Sequence, residues 1–395
     1  MLFVSTSIII LYQALMSFYW PLPALIAINN GMGARFVGFI VALSTVCQLI
    51  SSLFWPKYSK FSDKTRGISL GFIGILVGSV LLQNVNTLIP AVIILSILPG
   101  AAYYSLLNDV RNSAGSLSEN VSGFLKRDSV GRLIGFTIGT FGAFFFTTAQ
   151  LPILLFTLAV FFALAASGLS GGNGWSTLVD DSLIELHTID KGLRSGRIFW
   201  MINNIGLEKA AIPYMLTSAL FSFGFATIFA QMTVIIEIIF GNALLFYLMS
   251  LLSRVFMIIA YQFAGRVRSP LLFGYALRSS MMIFLFLGLI NKWLMVPFFM
   301  FSGAGLSFLL TFYNLRNLRL GSEMISLNVS ARLIAYSIGS YLSGIILEAG
   351  GIIATGIISL TVILLAPIPF LISTKCLKPL AWIKFPKFNG AQKRF

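Results

Sequence analysis

Charged and titratable side chains are scarce in this chain of 395 residues. Only 10% of the residues are charged, the single histidine is His187, and the two cysteines are Cys47 and Cys376. The cysteines lie in different parts of the sequence, which argues against a structural disulfide, and no spacing is typical of a metal site. No Ser/His/Asp set or glycine-lysine nucleotide loop is present either. The sequence therefore predicts no enzymatic activity, no cofactor and no metal.

Apolar residues make up 57% of the chain, and the mean hydropathy is +0.93, which is far above that of an ordinary soluble protein. A helix that crosses a bilayer needs roughly 20 apolar residues. The first apolar stretch has no basic segment before it, so we interpret it as a span rather than a signal peptide. Twelve such stretches are present, at 5–28, 36–56, 68–86, 88–107, 130–148, 151–169, 212–236, 243–263, 271–290, 294–313, 332–349 and 352–372. An all-α polytopic membrane protein is expected.

The basic residues give a formal net charge of +15, and they are distributed unevenly. If the N-terminus is cytoplasmic, twelve spans return the C-terminus to the same side, and 24 of the 27 Lys and Arg residues fall on the inner side. The exceptions are Arg35, Arg254 and Lys292. This is the positive-inside pattern, which explains the charge without a nucleic acid as partner. We predict a multi-pass protein of the plasma (inner) membrane with both termini in the cytoplasm.

One stretch of sequence occurs twice. Residues 131–140 read GRLIGFTIGT and residues 331–340 read ARLIAYSIGS, with five identities in the nine pairs that begin at Arg132 and Arg332. Two further pairs of segments match at similar offsets, 60–66 with 262–268 and 108–112 with 313–317. The three matches share nearly one register, which indicates that the chain is built from two copies of one unit.

The offset of about 200 residues contains six spans, and an even number returns the second copy to the membrane in the same orientation. The sequence therefore predicts a parallel repeat, with an axis along the membrane normal and a cavity between the halves near the midplane. We expect an N-terminal six-helix bundle at 1–170, a cytoplasmic linker at 171–211, and a C-terminal six-helix bundle with a cytoplasmic tail at 212–395.

The loop after the second span, residues 59–67, reads SKFSDKTRG. It resembles the signature Gly-x-Leu-Ala-Asp-Arg-x-Gly-Arg of the major facilitator superfamily in its acid, Asp63, and in the basic residues Lys64 and Arg66, with Ser59 in place of the leading glycine. The resemblance covers nearly the whole chain. It implies two six-helix bundles joined by a cytoplasmic linker, with Asp63 as the acid of a charge latch.

The fifth span is similar to a motif that this family has in exporters, through Gly135 and Gly139. The proline of that motif is missing. Glycines four residues apart are also typical of closely packed helices. The direction of transport therefore stays open.

Arg254 lies near the middle of the eighth span, where a charge is costly. Helical spacing places it on one face with Tyr247, Ser250 and Tyr261. We expect this face to line the cavity, with Arg254 contacting an anionic or strongly polar group of the substrate; the alternative is an arginine that only holds helices together. Arg278 is a second, weaker candidate for this contact, because it is shallow enough in its span to extend to the inner membrane surface. The other cavity candidates are Gln13, Trp20, Tyr336 and Ser340.

Several charged residues are candidates for gating at the inner loops. Asp128 lies four residues before Arg132 and is predicted to pair with it, whereas its counterpart in the second copy is Asn328. If a proton is coupled to transport, Glu237 and Asp109 are the candidates, although no carboxylate lies at mid-depth. The full set of gating candidates is Asp63, Lys64, Arg66, Asp109, Asp128, Arg132 and Arg332.

These observations predict a secondary active or facilitative transporter that moves a small organic solute by alternating access, as a monomer. Export of amphipathic compounds and uptake of an organic anion or metabolite are both compatible with the sequence, and a proton or another ion is a candidate for coupling. The alternative is a membrane receptor or scaffold that keeps the transporter fold without transport.

Overall fold

The computed structural model describes residues 2–58, 64–112, 117–169, 211–264, 267, 269–320 and 322–376. The predicted linker at 171–211, apart from Ala211, and the predicted tail beyond Cys376 lie outside these residues, as do Asp63 and His187. The described elements are α-helices and two short 3-10 turns. We number the helices in chain order.

The first half of the molecule comprises residues 2–169. Its helices are α1 (Leu2–Tyr19), α2 (Leu22–Asn29), α3 (Ala34–Tyr58), α4 (Lys64–Leu81), α5 (Leu88–Ile97), α6 (Pro99–Asn112), α7 (Leu117–Phe145) and α8 (Leu151–Leu169). A 3-10 turn, Val85–Thr87, precedes α5.

The second half comprises residues 211–376. Its helices are α9 (Ala211–Phe229), α10 (Met232–Phe240), α11 (Leu245–Ala264), α12 (Pro270–Gly288), α13 (Met295–Leu320), α14 (Ser322–Leu365) and α15 (Ile368–Cys376). A 3-10 turn, Lys292–Leu294, precedes α13. Helix α14 contains the eleventh and part of the twelfth predicted spans, and between them Gly351 departs from helical geometry with φ of 70° and ψ of −170°.

The predicted apolar stretches coincide with these helices. In the described part of the chain, eight helical segments are long and apolar enough to cross a membrane, and the last of them, Asn328–Ser373, carries two predicted stretches. Two shorter apolar helices, Thr65–Leu81 and Leu151–Ala166, and helix α7 account for the others. The chain is therefore an all-α polytopic membrane protein.

The first span of each half is interrupted at an equivalent place. Helix α1 ends at Tyr19 and α2 begins at Leu22, while α9 ends at Phe229 and α10 begins at Met232, an offset of 210 at both boundaries. In the first half, Pro21 lies in the interruption, where its missing N–H cannot continue the helical hydrogen bonds. The apolar pattern of the sequence does not predict these breaks.

Smaller features repeat at similar offsets. Gly31 and Gly241, which follow the broken spans, both have positive φ, at 72° and 70°. Each 3-10 turn is preceded by an asparagine whose side chain accepts a hydrogen bond from the backbone N–H two residues later: Asn84 from Asn86, and Asn291 from Trp293. These features support a duplicated unit independently of the sequence match.

The contacts between the halves are also related by the repeat. Helix α3 packs against the first part of α14, and α7 packs against α11. The repeat relates α3 to α11 and α7 to α14, so the two interfaces are equivalent by a two-fold relation. We call the end of the bundle away from the chain termini the far end; it carries residues 30–33, 82–87, 146–150, 241–244 and 289–294.

Candidate functional site

The two halves are joined by polar contacts toward the far end. The hydroxyl of Tyr247 donates to the carbonyl oxygen of Phe18 at 2.6 Å, and both side chains are fully buried. At the start of α3, Arg35 forms an ion pair with Glu348 of α14, with Nε and Oε2 separated by 2.6 Å. Lower in the same interface, Ser337 donates to the carbonyl oxygen of Ala42 at 3.1 Å.

A buried glutamine adds to this closure. Gln231, at the interruption between α9 and α10, donates from Nε2 to the carbonyl oxygen of Ala34 at 3.1 Å and to the hydroxyl of Ser343 at 3.2 Å. The interruption thus presents a side chain of the second half to the backbone of the first.

Glycines allow α3 and α14 to approach closely here. A Cβ atom on Gly38 would lie 2.6 Å from the carbonyl oxygen of Ser340, and one on Gly344 would lie 2.6 Å from that of Ala34. Real Cβ atoms do not come this close to backbone oxygens. Glycine, which has no Cβ atom, is therefore required at both positions for the closed interface.

A cavity of about 170 Å³ lies between the halves, just below this closure. The first half contributes residues of α1, α2 and α3, and the second half contributes residues of α9 to α11 and α14. Aromatic rings form part of the wall, including those of Trp20 and Phe246, whose centroids are 5.7 Å apart. The polar residues of the lining are Tyr19, Ser44, Thr45, Gln48, Thr233 and Tyr336.

The polar groups of the lining differ in their partners. Ser44 and Ser96 share a hydrogen bond of 2.8 Å, and Gln48 donates to Ser44 at 3.4 Å. The hydroxyl of Thr233, in contrast, is buried and has no protein hydrogen-bond partner. A buried hydroxyl without a partner is costly, and a polar ligand in the cavity would satisfy it. The site thus combines apolar walls with a few polar groups, as is typical of small-molecule sites.

Arg278 is the most buried charged residue described, with no exposed surface. It is the ninth of the 19 residues of α12. Its guanidinium lies over three rings of α9, with its Cζ atom 4.3 Å from the centroid of Phe225, 5.7 Å from that of Phe221 and 5.6 Å from that of Phe229. The three phenylalanines occur at intervals of four and therefore share one face of α9. We call Arg278 and these three rings the arginine cage.

The expectation that Arg278 extends to the membrane surface is wrong. Its side chain points into the second half, because the face of α12 that carries it packs against neighbouring helices. Gly305 of α13 leaves room for it, since a Cβ atom there would lie 3.0 Å from Cγ of Arg278. The spacing of the phenylalanines was visible in the sequence, but in a chain with 37 phenylalanines it did not single out this face.

Two of the predicted cavity candidates, Trp20 and Tyr336, line the cavity. Gln13 is buried where α1 and α7 pack, and a Cβ atom on Gly131 would lie 2.7 Å from Cβ of Gln13. Ser340 is buried as well, and its hydroxyl donates to the carbonyl oxygen of Tyr336 one turn earlier, at 2.8 Å. The described lining of the cavity does not include these two residues.

The predicted face of α11 exists, but it packs against the first half. Tyr247 contacts Phe18 of α1 and lies against Gly139 of α7. Arg254 places its Cζ atom 5.6 Å from the ring centroid of Phe136 on α7, and its Nη1 lies 3.5 Å from the sulfur of Met257. Tyr247, Arg254 and the half-buried Tyr261 are outside the described cavity lining.

The two arginines of the repeated sequence have different partners. Arg132 pairs with Asp128 at 2.8 Å, which confirms the predicted i, i+4 pair. Arg332 instead donates from Nε to the hydroxyl of Ser222 at 3.3 Å, and its Cζ atom lies 5.5 Å from the ring centroid of Tyr313. The counterpart of Asp128, Asn328, accepts a hydrogen bond from Ser218. The duplicated position is thus charged in one half and neutral in the other.

The remaining candidates lie toward the two ends of the bundle. Lys64 is the first residue of α4, Arg66 follows it in the same turn, and Asp109 lies in the last turn of α6. Glu237 lies in α10 at the far end, where its carboxylate accepts a hydrogen bond from the backbone N–H of Ala243. Glu237 thus stabilises the turn that connects α10 to α11.

The sequence matches no family model, and no curated protein matches it. Its fold, in contrast, is similar to that of several solved transporters. A POT family transporter in complex with a thioalcohol-conjugated peptide is 14% identical, with a TM-score of 0.69 over 95% of this chain and 96% of that one. A bacterial homologue of human drug peptide transporters is 12% identical, with a TM-score of 0.68 over 95% and 98%.

The nucleoside transporter NupG is 11% identical and has a TM-score of 0.63 over 95% of this chain and 99% of that one. These proteins share the architecture over nearly their whole length at low identity, which is evidence of a common fold. The duplicated helix breaks, the two equivalent interfaces between the halves and this similarity lead to one conclusion. The chain has the fold of the major facilitator superfamily.

Proposed function

We propose that this protein is a secondary active or facilitative transporter that carries a small organic solute across the membrane by alternating access. The observation that supports it is a cavity between two halves whose far end is closed by non-covalent contacts. Transporters of this architecture bind their solute at such a place and rock one half against the other around it.

The closing contacts are weak enough for this cycle. A neutral hydrogen bond contributes about 0.5–1.5 kcal/mol net, and an exposed ion pair contributes up to about 1 kcal/mol. The side chain of Arg35 is 65% exposed, so its pair with Glu348 belongs to the second class. Contacts of this strength break and re-form on binding of a solute, since ligands shift such equilibria by their differential affinity.

The cavity suits a compact solute with both apolar and polar groups. Trp20 and Phe246 offer aromatic surface, while Thr233 and Tyr336 offer hydroxyl groups. The neighbouring structures include transporters of peptides and nucleosides. Dialanine and uridine are therefore suitable first probes, with small organic anions as a third class.

The positive-inside pattern supports a position in the plasma membrane with both termini in the cytoplasm. In that orientation the far end is the outer end, and the structure is closed toward the outside. A single chain suffices for the cavity, which supports a monomeric transporter. If a proton is coupled, Glu237 at the far end and Asp109 near the other end are the carboxylates to replace first.

Solute exchange by the purified protein tests this function. Proteoliposomes loaded with unlabelled dialanine, uridine or a small carboxylate would receive the labelled solute outside, and accelerated exchange relative to protein-free liposomes is expected for one class. Absence of exchange for every class, combined with co-purification of a stoichiometric partner protein, would overturn the proposal and favour a receptor or scaffold.

A further inference from the structure

The guanidinium of Arg278 is only partly satisfied by the protein. Nη1 donates to the hydroxyl of Ser302 at 3.2 Å and lies 3.9 Å from the sulfur of Met281. Nε and Nη2 are buried and have no hydrogen-bond partner. These two nitrogens form one edge of the planar guanidinium, and their N–H bonds point in the same direction. An edge of this kind matches the two oxygens of a carboxylate.

The positive charge is also incompletely balanced. Within the described part of the chain, the carboxylates that form ion pairs do so with Arg35 and Arg132, and none pairs with Arg278. The rings of the arginine cage attract the cation through their faces, which compensates part of its desolvation. Buried arginines inside membrane proteins usually face an internal partner and mark a solute pathway.

The arginine cage adjoins the cavity. Phe229 belongs to both, since it contributes to the cavity lining and lies over the guanidinium. Tyr336 also lines the cavity, and its ring centroid is 6.3 Å from that of Phe225. Phe229 and Tyr336 thus line the cavity and also adjoin the arginine cage.

We propose that the Nε–Nη2 edge of Arg278 binds the carboxylate of a small organic anion, whose apolar part occupies the cavity. This inference rests on the proposed transport function and specifies its substrate class. The carboxylate reaches the edge when the rings of Phe225 and Phe229 turn apart. It then accepts two charge-assisted hydrogen bonds where the protein alone leaves two donors unsatisfied.

A carboxylate fits better than a phosphate for two reasons. Its single negative charge balances the single positive charge of Arg278, so the bound pair is neutral in an apolar surrounding. Its two oxygens also occupy the available edge completely, whereas a phosphate dianion would leave a charge and acceptor oxygens without partners. Inorganic phosphate therefore serves as a contrasting probe in the binding experiment.

The experiment compares 3-phenylpropanoate with 3-phenylpropanamide, which has the same shape without the charge. Binding to the purified wild-type protein would be measured by calorimetry and by the shift in melting temperature. Because the carboxylate adds a negative charge and a second acceptor oxygen that the amide lacks, it should bind roughly tenfold to a hundredfold more tightly than the amide. Equal affinities in the wild type, or tighter binding of inorganic phosphate, overturn the proposal without any variant.

Two substitutions localise the effect. Arg278→Met removes the charge and the edge at similar length, and it should reduce the preference for the carboxylate over the amide to about one. Lys292→Gln is the control, because Lys292 is an exposed cation outside the cavity lining. Its Nζ atom lies 5.9 Å from the ring centroid of Phe240. This variant should keep the full preference. A folded Arg278→Met variant with the wild-type preference contradicts the proposal.

Arg278→Lys covers the case in which the methionine variant does not fold. Lysine keeps a positive charge in the cage but has no planar edge, so the preference should fall at least severalfold; an unchanged preference overturns the bidentate geometry.

The outcomes also separate this inference from the transport function. Exchange of a neutral solute without carboxylate binding supports transport and overturns the carboxylate site. Carboxylate binding without exchange of any solute supports the carboxylate site and overturns transport.

Discussion

Arg35 and Glu348 join the two halves of the molecule at its far end. Nε of Arg35 lies 2.6 Å from Oε2 of Glu348, and the backbone N–H of Arg35 donates to Oε1 at 2.8 Å. One carboxylate thus receives both a side-chain and a backbone contact from the start of α3. Because α3 and α14 belong to different halves, this contact exists only while the far end is closed.

Replacing Glu348 with glutamine should therefore favour opening of the far end. The ion pair is exposed, so its loss changes the closed-to-open equilibrium by up to about 1 kcal/mol, or roughly fivefold. The measurement is the rate at which a membrane-impermeant maleimide labels Thr233→Cys, a position in the cavity lining. We expect faster labelling in the Glu348→Gln background and an unchanged rate with Lys292→Gln, a far-end charge with no ion pair among the described residues.

Replacement of Tyr247 and of Tyr214 distinguishes an effect on closure of the far end from an effect on the stability of the fold. Both are fully buried, and each hydroxyl donates to a backbone carbonyl: Tyr247 to Phe18 in the other half at 2.6 Å, Tyr214 to Tyr313 in its own half at 3.1 Å. Replacement of either by phenylalanine should cost about 1 kcal/mol of stability. Only Tyr247→Phe should increase labelling of Thr233→Cys. Equal labelling in both variants would show that the Tyr247 contact does not hold the halves together.

Thr45 and Val46 are neighbours on α3 with opposite surroundings. Thr45 lines the cavity and is 5% exposed, whereas Val46 is 42% exposed on the outer surface of the bundle. Thr45→Phe fills part of the cavity, so we expect it to abolish solute binding in a thermal-shift assay. Val46→Phe adds similar bulk toward lipid and should leave binding intact. Binding that survives Thr45→Phe would place the solute elsewhere.

Arg278→Met should not destabilise the ligand-free protein. It removes a buried charge with two unsatisfied donors, and replacing incompletely paired buried charges with apolar groups is often neutral or stabilising. The melting temperature without ligand should therefore equal or exceed that of the wild type. A markedly lower melting temperature would indicate that the cation–π contacts of the cage stabilise the second half, and that Arg278 has a structural role.

The fold could be predicted from the sequence because its two strongest patterns are visible along the chain without knowledge of tertiary contacts. Stretches of apolar residues define membrane helices, and an even number of spans per repeat defines a parallel duplication. The Asp128–Arg132 pair was predictable for the same reason, since it depends only on a spacing of four within one helix. The breaks near Pro21 and Gln231 were not predicted, because the apolar pattern continues across them.

The site was harder to predict because it depends on which helix faces meet. The face of α11 that carries Tyr247 and Arg254 was expected to line the cavity, but these two side chains contact α1 and α7. Arg278 was expected to extend to the inner membrane surface, but its side chain packs against the phenylalanine rings of α9. The Arg35–Glu348 pair joins residues 313 positions apart, a relationship that no local pattern contains.

The most direct test of alternating access is a reversible cross-link at the far end. Cysteines would replace Arg35 and Glu348 in a background in which Cys376 is serine; Cys47 is buried and can stay. Solute exchange in proteoliposomes would then be measured in the oxidised and reduced states. We predict that the disulfide stops exchange and that dithiothreitol restores it. Equal exchange in both states would contradict the account, because a transporter locked closed at one end cannot complete its cycle.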